Sequence, residues 1–330
     1  MLKKILLIFG IGIYTFVTKA QTKDSIPDKV RAIIADKFPA IRVLNLEYEI
    51  VGGFKYASKY LKNPLPKGEV QNMHQANASM NVNLMKRKNW TLGTLVGYRH
   101  LSVDLRQPDL STRQIHQEKQ DYHYHHESLN FTYYSRLFGK MAIYSASLMT
   151  DGSEKGFERV RGMLMGNLVL KATREVQMTI GVVGLLDPSA IVPVIPTFTY
   201  KRQYQQGWVV DVVLPKAVYL RKTILGNGRA SFGSELDNNT FYIYDFAGLS
   251  NVQIFNQMNL NSGLLYEHNL GRSFIAMVKT GMRNSLRSRI SEKNKSQNDF
   301  IYEASTDPSF YFNAGLSFNP FAKKRVKLRE

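Results

Sequence analysis

The chain alternates hydrophobic and polar residues with a period of two from about residue 42 onward. In the segment 44–50 the apolar residues share one face, which comprises Leu44, Leu46, Tyr48 and Ile50. The same alternation recurs at 76–84, 90–99, 175–182 and 310–318. Successive side chains of a β-strand point to opposite faces, whereas a helix repeats every 3.6 residues. The pattern therefore predicts a series of strands, each with one apolar face and one polar face.

The connections between these segments differ in length. Tight ones at 86–89, 138–140, 172–175 and 204–207 interleave with long polar ones at 57–72, 104–121 and 284–307. Transmembrane barrels have short turns at one end and long loops at the other. Several apolar bands also end in aromatic residues, as in Trp90 with Tyr98 and Phe310 with Phe318, which is typical of interfacial girdles.

These features predict an all-β fold, an antiparallel up-and-down transmembrane β-barrel over residues 41–320, with about 12–14 strands. Pro215 indicates a bend or loop in the segment 208–267, where strands are hardest to assign. Val30, Ile33, Ile34 and Phe38 have helical spacing and predict a short amphipathic helix within a leader at 21–40, under the barrel or partly inside it. A soluble exported β-sandwich that binds lipid or polymer is the alternative fold, since it also buries one face of each strand.

Residues 1–20 have the composition of a cleaved secretory signal peptide. Lys3 and Lys4 precede an apolar run from 5 to 17, and Thr18 and Ala20 are small residues before Gln21. No later apolar run reaches the roughly 18 residues of a transmembrane helix. The absence of cysteine excludes disulfides, thiolate metal sites and a cysteine nucleophile.

The chain is basic, with 44 Lys and Arg against 26 Asp and Glu, a formal net charge of +18. For an exported chain we expect anionic lipid and lipopolysaccharide phosphates as partners and no nucleic acid. The segment 283–299 is especially basic and could grip lipopolysaccharide, or it could be a mobile polar loop. The charge could also serve only to solvate loops.

The strands, the short "KRKN" and "FGK" turns and the closing "FYFNAGLSF" resemble outer-membrane β-barrels of Gram-negative bacteria. "LPKAVYLRK" and "LLYEHNLG" resemble, more closely, a sequence-defined barrel family of unassigned function. The resemblance implies export to the outer membrane and a partner in the barrel assembly machinery, which reads a terminal aromatic residue such as Phe318. It implies no catalytic residues, and the basic tail 321–330 departs from the usual ending.

The stretch "DYHYHHES" at 121–128 concentrates three histidines. Continuing the strand phase backward from 129–137 places His123 and His125 outward, where they could share a metal. It places His126 and Ser128 inward, where they could act as base and nucleophile of a lipid-modifying barrel hydrolase, the alternative function. An amphipathic rim at the membrane surface explains the stretch without chemistry. No Walker loop or G-x-S-x-G elbow is present, so the sequence leaves enzyme activity open but without support, and we expect no cofactor.

The polar faces predict a lumen lined with both signs of charge. The residues expected to face it are Glu47, Glu49, Asn81, Arg99, Tyr134, Arg136, Glu267, Lys279 and Arg283. They could form a selectivity region or pocket for a small polar solute, which would make the barrel a narrow channel or binding protein. They could equally be a salt-bridged filling that replaces a hydrophobic core.

Overall fold

The structure, a computed structural model, describes residues 42–109, 112, 114–271 and 273–321. The predicted signal peptide, the leader helix and nearly all of the basic tail lie outside the described residues. The strands are β1 (Leu44–Val51), β2 (Phe54–Tyr60), β3 (Asn63–Pro64), β4 (Gly68–Lys86), β5 (Trp90–Pro108), β6 (Ile115–Leu137), β7 (Lys140–Ser153), β8 (Gly156–Ala172), β9 (Val176–Leu186), β10 (Val194–Gln203), β11 (Trp208–Leu214), β12 (Ala217–Ile224), β13 (Gly228–Ile243), β14 (Gln253–Asn269), β15 (Phe274–Glu292), β16 (Phe300–Thr306) and β17 (Ser309–Phe318). Among these residues the longest helix is a 3₁₀ turn, Phe246–Gly248, and no helix is long and apolar enough to span a bilayer.

The sheet closes on itself. β1 pairs with β4 on one side and with β17 on the other. β1 and β2 follow one register along β4, and β16 and β17 follow one register along most of β15, so each pair is a single barrel strand with a short break. β3 is only a two-residue bridge beside β2. The described residues thus form a closed antiparallel barrel of 14 strands. The predicted fold class and strand number are confirmed, and the soluble sandwich is excluded.

The outer face of the barrel is apolar. Leu46 and Tyr48 are 60% and 50% exposed, while Glu49 between Tyr48 and Ile50 is 5% exposed. The predicted stripe at 76–84 shares the outer face, because Ala76 pairs with Tyr48 and Met80 with Leu44. On β6 the outward band comprises Leu129, Phe131, Tyr133 and Leu137, which is about the length a tilted strand needs to cross hydrocarbon.

The two ends of the barrel differ. Turns at 87–89, 138–139, 173–175, 204–207 and 225–227, and the described residues 270, 271 and 273, lie at the end where β1 begins, which we call the turn end. The opposite end, the loop end, has longer strands than the sequence predicted. The expected loops at 57–72, 104–121 and 284–307 are mostly strand, and only 61–67, 109–114 and 293–299 connect them, with β3 inside the first. These strand extensions are polar because they lie outside the apolar band, where water can solvate their side chains.

The strands also differ in height around the barrel. β6 has 23 residues, whereas β11 has 7 and β12 has 8, joined by a turn at Pro215 and Lys216 as the proline predicted. β12 pairs with β13 only as far as Ala217 with Glu235, although β13 continues to Ile243. β9–β12 are therefore a low wall, and the upper part of β13 (residues 236–243) rises above it with one backbone hydrogen bond on that side, from Leu236 to the Lys216 carbonyl.

Candidate functional site: the lumen and its closure

The upper part of β13 leans across the lumen. Residues 239–242 are buried on both faces, with Phe241 1% and Tyr242 3% exposed. The ring of Phe241 lies 5.8 Å from that of Tyr122 and 6.5 Å from that of Tyr124, both on β6. These aromatic residues join an apolar cluster that also contains Val51, Tyr56, Val70, Met73, Leu101, Val103, Ile254 and Tyr311. A hydrophobic plug thus fills the loop end of the barrel, where a water-filled channel would have polar walls.

A buried ionic cluster connects this plug directly to β7 and β8, although the strands β9–β12 separate β8 from β13 in the sheet. We call it the clasp: Asp151, Arg159, Arg161, Asp187 and Tyr242. Asp151 is fully buried, lies 3.3 Å from the Arg159 guanidinium, and also takes hydrogen bonds from Arg161 and Tyr242. Arg159 donates to the Tyr242 hydroxyl at 2.9 Å. Asp187 lies 3.9 Å from Arg159 and 3.7 Å from Arg161.

The clasp lies beyond the outward apolar band of β7, which ends at Leu148, and it is charged at neutral pH. Burial raises the pKa of Asp151, but Arg159 and Arg161 outweigh burial and hold that pKa below its usual range. Burial lowers the pKa of Arg159, and Asp151 reverses the effect, so the net shift is upward. Two carboxylates balance two guanidiniums, which is the condition for keeping such charges buried.

A second polar contact joins β8 to the residues that follow β13 and β15, and it lies nearer the solvent. Glu158 on β8 accepts hydrogen bonds of 2.8 Å from both Tyr244 and Lys293. Burial raises the pKa of Glu158, but these two donors outweigh it and lower the pKa overall. Lys293 was predicted to belong to a free basic loop, and Arg283 and Arg289 of the same segment lie on β15, paired at 2.7 Å with Glu49 and Glu303. Residues 283–292 of this segment are therefore strand, and Arg283, Arg289 and Lys293 each pair with a carboxylate.

Several predicted lumen residues meet in pairs below the plug. Arg283 binds Glu49 and donates to Asn261 at 2.9 Å. Lys279 binds Glu235 at 2.8 Å, and Glu235 also accepts from Tyr219 at 2.9 Å. These contacts join β1, β12, β13, β14 and β15 through the interior. They correspond to the salt-bridged filling that the sequence offered as one of two interpretations of the lumen.

A third ionic cluster lies at the turn end. Glu267, 3% exposed, pairs with Arg42 and with Arg229 at 2.7 Å, and lies 3.9 Å from Arg221. Arg221 in turn pairs with Asp211 at 2.8 Å. We call this group the arginine cluster: Arg42, Arg221, Arg229, Asp211 and Glu267.

The remaining predicted lumen residues are more scattered. Arg99 crosses to β13 and donates to Asn239 at 2.7 Å, while Glu47 accepts from Asn313 at 3.3 Å. Asn81 and Tyr134 are half-buried, and Arg136 is exposed near the turn end.

Around the ion pairs, buried polar atoms of Gln75, Asn239, Asn259, Arg283 and Asn313 have no hydrogen-bond partner within the protein. Such atoms indicate water or a polar ligand in the lumen.

The histidines of 121–128 do not converge on one site. His123 stacks on His100 with ring centroids 4.7 Å apart and bonds Tyr98 at 2.7 Å. His125 instead contacts Glu127 and the Ser153 carbonyl, each at 3.1 Å. The described residues contain no group of three His, Cys, Asp or Glu side chains placed to hold a metal.

His126 and Ser128, the candidate base and nucleophile, are not joined by a hydrogen bond. His126 lies over Gly97 with its Nδ1 buried and unpartnered, while Ser128 accepts from Asn130 at 2.9 Å. Burial, then the charge of Arg99, lower the pKa of His126. A neutral imidazole without a bonded hydroxyl lacks the geometry of an activated serine.

The clasp was missed in the sequence. Asp151 and Arg159 lie opposite each other on the two strands of the β7–β8 hairpin, close to its short turn at 154–155. Nothing in the alternation indicated a partner on β13. The one available signal was the run "LDNNTFYI" at 236–243, in which the alternation fails. A strand buried on both faces loses the period of two.

A closed antiparallel sheet with an apolar outside and an ion-paired inside defines a β-barrel of the outer-membrane class. The chain belongs to the family described as "Domain of unknown function (DUF6268)", which matches residues 44–319. The inferred resemblance to a sequence-defined barrel family without an assigned function is thereby confirmed. No curated protein matches the chain.

Solved structures of outer-membrane barrels are similar to the chain at low scores. The transport unit of the autotransporter AIDA-I from Escherichia coli has 9% identity and a TM-score of 0.32, covering 88% of this chain and 96% of its own. The COG4313 outer membrane channel from Pseudomonas putida F1 has 6% identity and a TM-score of 0.32, covering 86% and 98%. A Pseudomonas aeruginosa FadL homologue has 8% identity and a TM-score of 0.29, covering 86% and 91%. At these scores the likeness carries no functional argument.

Proposed function

We propose that this protein is an outer-membrane barrel that takes up small solutes into its lumen and releases them across a closure that opens and shuts at the loop end. In this proposal the turn end faces the periplasm, the loop end faces the outside, and export depends on the predicted signal peptide. The apolar outer band supports a membrane location, because soluble proteins rarely expose so much contiguous apolar surface.

One observation carries the proposal: the upper part of β13, which pairs with β14 along its length, has almost no backbone pairing on its other side and meets β6–β8 there through side chains. Beyond the pair of Ala217 with Glu235 there is no ladder to β12, and Leu236 makes one further backbone hydrogen bond on that side, to Lys216. The top of the β13–β14 hairpin can therefore shift on that side while the β13–β14 ladder stays paired. The clasp and the plug hold it, and neither is needed to close the barrel below. A hairpin top that is held on one side only by side chains can act as a gate.

Reconstitution into planar bilayers tests the proposal. The wild-type barrel is expected to show little steady conductance, and a Tyr124→Ala, Phe241→Ala variant, which removes the centre of the plug, is expected to conduct. Steady open-channel currents in the wild type would contradict the closure, and silence of both proteins in conductance and liposome solute uptake would contradict the conduit. Fractionation with outer membranes after a carbonate wash tests the location separately.

A further inference from the structure

The turn end of the barrel carries a ring of exposed basic side chains. Four consecutive turns contribute to it, those that join β4 to β5, β6 to β7, β8 to β9 and β10 to β11, together with the strand ends beside them. We call the ring the basic rim: Arg87, Lys88, Lys140, Lys171, Arg174 and Arg202. All six residues are exposed. Within these four turns and the strand ends that flank them, Glu175 is the only carboxylate, so positive charge is in strong excess.

The protein supplies no counter-charge to the basic rim. None of its members forms an ion pair with a carboxylate in the described part of the chain. Lys140 donates to the Leu170 carbonyl at 3.2 Å, and Arg202 lies over the ring of Tyr204 at 4.9 Å, both of them neutral groups. At the loop end, by contrast, basic residues of the segment 283–299 pair with carboxylates. The anions that balance the rim must therefore come from outside the protein.

The members of the basic rim are close enough to act together. Neighbouring turns are two strands apart, about 10 Å at the usual spacing between strands. That distance is about the Debye length at 0.1 M salt, so the charges screen one another only in part. The four turns follow β4–β11 around more than half of the 14-strand circumference. Like charges in such a ring repel one another, and a layer of anions around the barrel removes that repulsion.

Aromatic side chains on the outer face show the depth of the basic rim in the membrane. Trp90 follows Lys88 by two residues and pairs with Tyr133 on β6. On β10, Tyr200 precedes Arg202 by two residues on the outer face. Tryptophan and tyrosine are enriched where the hydrocarbon ends and the lipid head groups begin. The rim therefore lies at the level of the head groups.

We infer that the basic rim binds the head groups of anionic phospholipids, such as phosphatidylglycerol, in the leaflet at the turn end. Head groups form a continuous layer of phosphates at this depth, and separate cations spread around the barrel match a layer better than a compact ligand. Lys and Arg bind phosphate oxygens, and basic residues beside an anionic leaflet strengthen its binding. The inference takes the periplasmic orientation of the turn end from the proposed function, but it needs neither the clasp nor the plug.

Electron spin resonance of spin-labelled lipids tests the inference with the full-length barrel in phosphatidylcholine vesicles. The readout is the fraction of labelled lipid that the protein immobilises, measured for spin-labelled phosphatidylglycerol and for spin-labelled phosphatidylcholine, which has no net charge. We expect about a threefold preference of the wild type for phosphatidylglycerol in dilute salt. The preference should fall in about 0.5 M salt, because salt screens exposed charges.

Two variants with equal loss of charge separate the basic rim from the rest of the surface. The rim variant removes four of its charges: Arg87→Gln, Lys88→Gln, Lys171→Gln and Arg174→Gln. The matched control removes four exposed charges of the loop end: Lys55→Gln, Lys59→Gln, Lys62→Gln and Lys67→Gln. The rim variant is expected to lose most of the preference for phosphatidylglycerol, and the control is expected to keep it. Heat-modifiable migration on gels shows that each variant is folded.

Three results would overturn the inference. The wild type could show no preference for phosphatidylglycerol, or the rim variant and the control could lose it equally, which would assign it to the net charge of the whole protein. A preference that salt leaves unchanged would assign it to a contact other than charge. The proposed function fails separately: a conducting barrel without lipid preference removes only this inference, and lipid preference in a barrel that never conducts removes only the conduit.

Discussion

Replacing Asp151 with asparagine is expected to open the loop end of the barrel. The change keeps the shape of the side chain and removes one charge from the centre of the clasp. Arg159 and Arg161 then share only Asp187, at 3.9 and 3.7 Å, and a buried positive charge is left without a counterion.

The size of the effect follows from burial. Removing one partner of a buried ion pair costs about 3–5 kcal/mol, because the remaining charge stays desolvated. Asp151 is fully buried, but Asp187 still compensates in part, so we expect about 3 kcal/mol. This cost destabilises the closed state alone, because the contacts of the clasp exist only in that state. The ratio of closed to open barrels should drop by roughly a hundredfold, at about 1.4 kcal/mol per factor of ten.

Single-barrel recordings at neutral pH measure the open fraction directly. Asp211→Asn is the matched control: it removes the same group from an ion pair in the arginine cluster, far from the plug, and should not raise the open fraction. Tyr242→Phe, which removes only hydroxyl hydrogen bonds of the clasp, should open the barrel less than Asp151→Asn. A folded Asp151→Asn barrel that stays as closed as the wild type, or an Asp211→Asn barrel that opens equally, would refute the role of the clasp.

The clasp also sets the pH dependence of the closed state. Because the folded pKa of Asp151 is depressed, its contribution is complete above the ordinary aspartate pKa of about 3.9 and is lost as pH falls through the lower folded value. The wild-type barrel is therefore expected to stay closed between pH 8 and pH 5. Recordings across that range that showed opening near pH 6 would assign the closure to another group.

Three further predictions concern stability and chemistry. Glu49→Gln should lower the stability of the folded barrel by about 3 kcal/mol by leaving Arg283 unpaired, and Glu49→Leu combined with Arg283→Met should recover most of it, as measured by the midpoint of heat-modifiable migration. Gly263→Ala should reduce the folded fraction, because its Cβ would lie 2.1 Å from the Thr280 carbonyl oxygen, whereas Gly184→Ala, whose nearest neighbour is 4.0 Å away, should not. Ser128→Ala should cost about 1 kcal/mol for one hydrogen bond. Fatty-acid release from envelope lipid should be at background in the wild type and in this variant alike, and release by the wild type that the variant loses would support the lipid-modifying hydrolase.

The sequence predicted the strands and their two faces, because contact with lipid requires apolar residues on the outer face of each strand. Leu44, Leu46 and Tyr48 must face hydrocarbon while Glu47 and Glu49 must not, so the alternation reports the two faces directly. The limits of the strands were less predictable, because outside the bilayer a paired strand and a loop have the same polar composition. The segment 284–292 is strand for this reason, although it was expected to be loop.

The closure could not be predicted, because it depends on contacts between distant parts of the chain. Tyr242 meets Asp151 and Arg159 only because β9–β12 are short enough for β13 to lean over them. Strand height is set by where each turn falls, and no local pattern around Tyr242 encodes it. The ion pairs of Glu49 with Arg283 and of Glu235 with Lys279 likewise depend on the diameter and stagger of the closed sheet.

The pairing of β1 with β17 constrains how the molecule can be made. The eight backbone positions of β1 that meet β17 lie at the opposite end of the chain from their partners. Until the last strand arrives, β1 and β15 each present a bare edge, and in hydrocarbon every unpaired amide or carbonyl costs several kcal/mol. Insertion one strand at a time is therefore disfavoured, and the ring must be completed before or during entry into the bilayer.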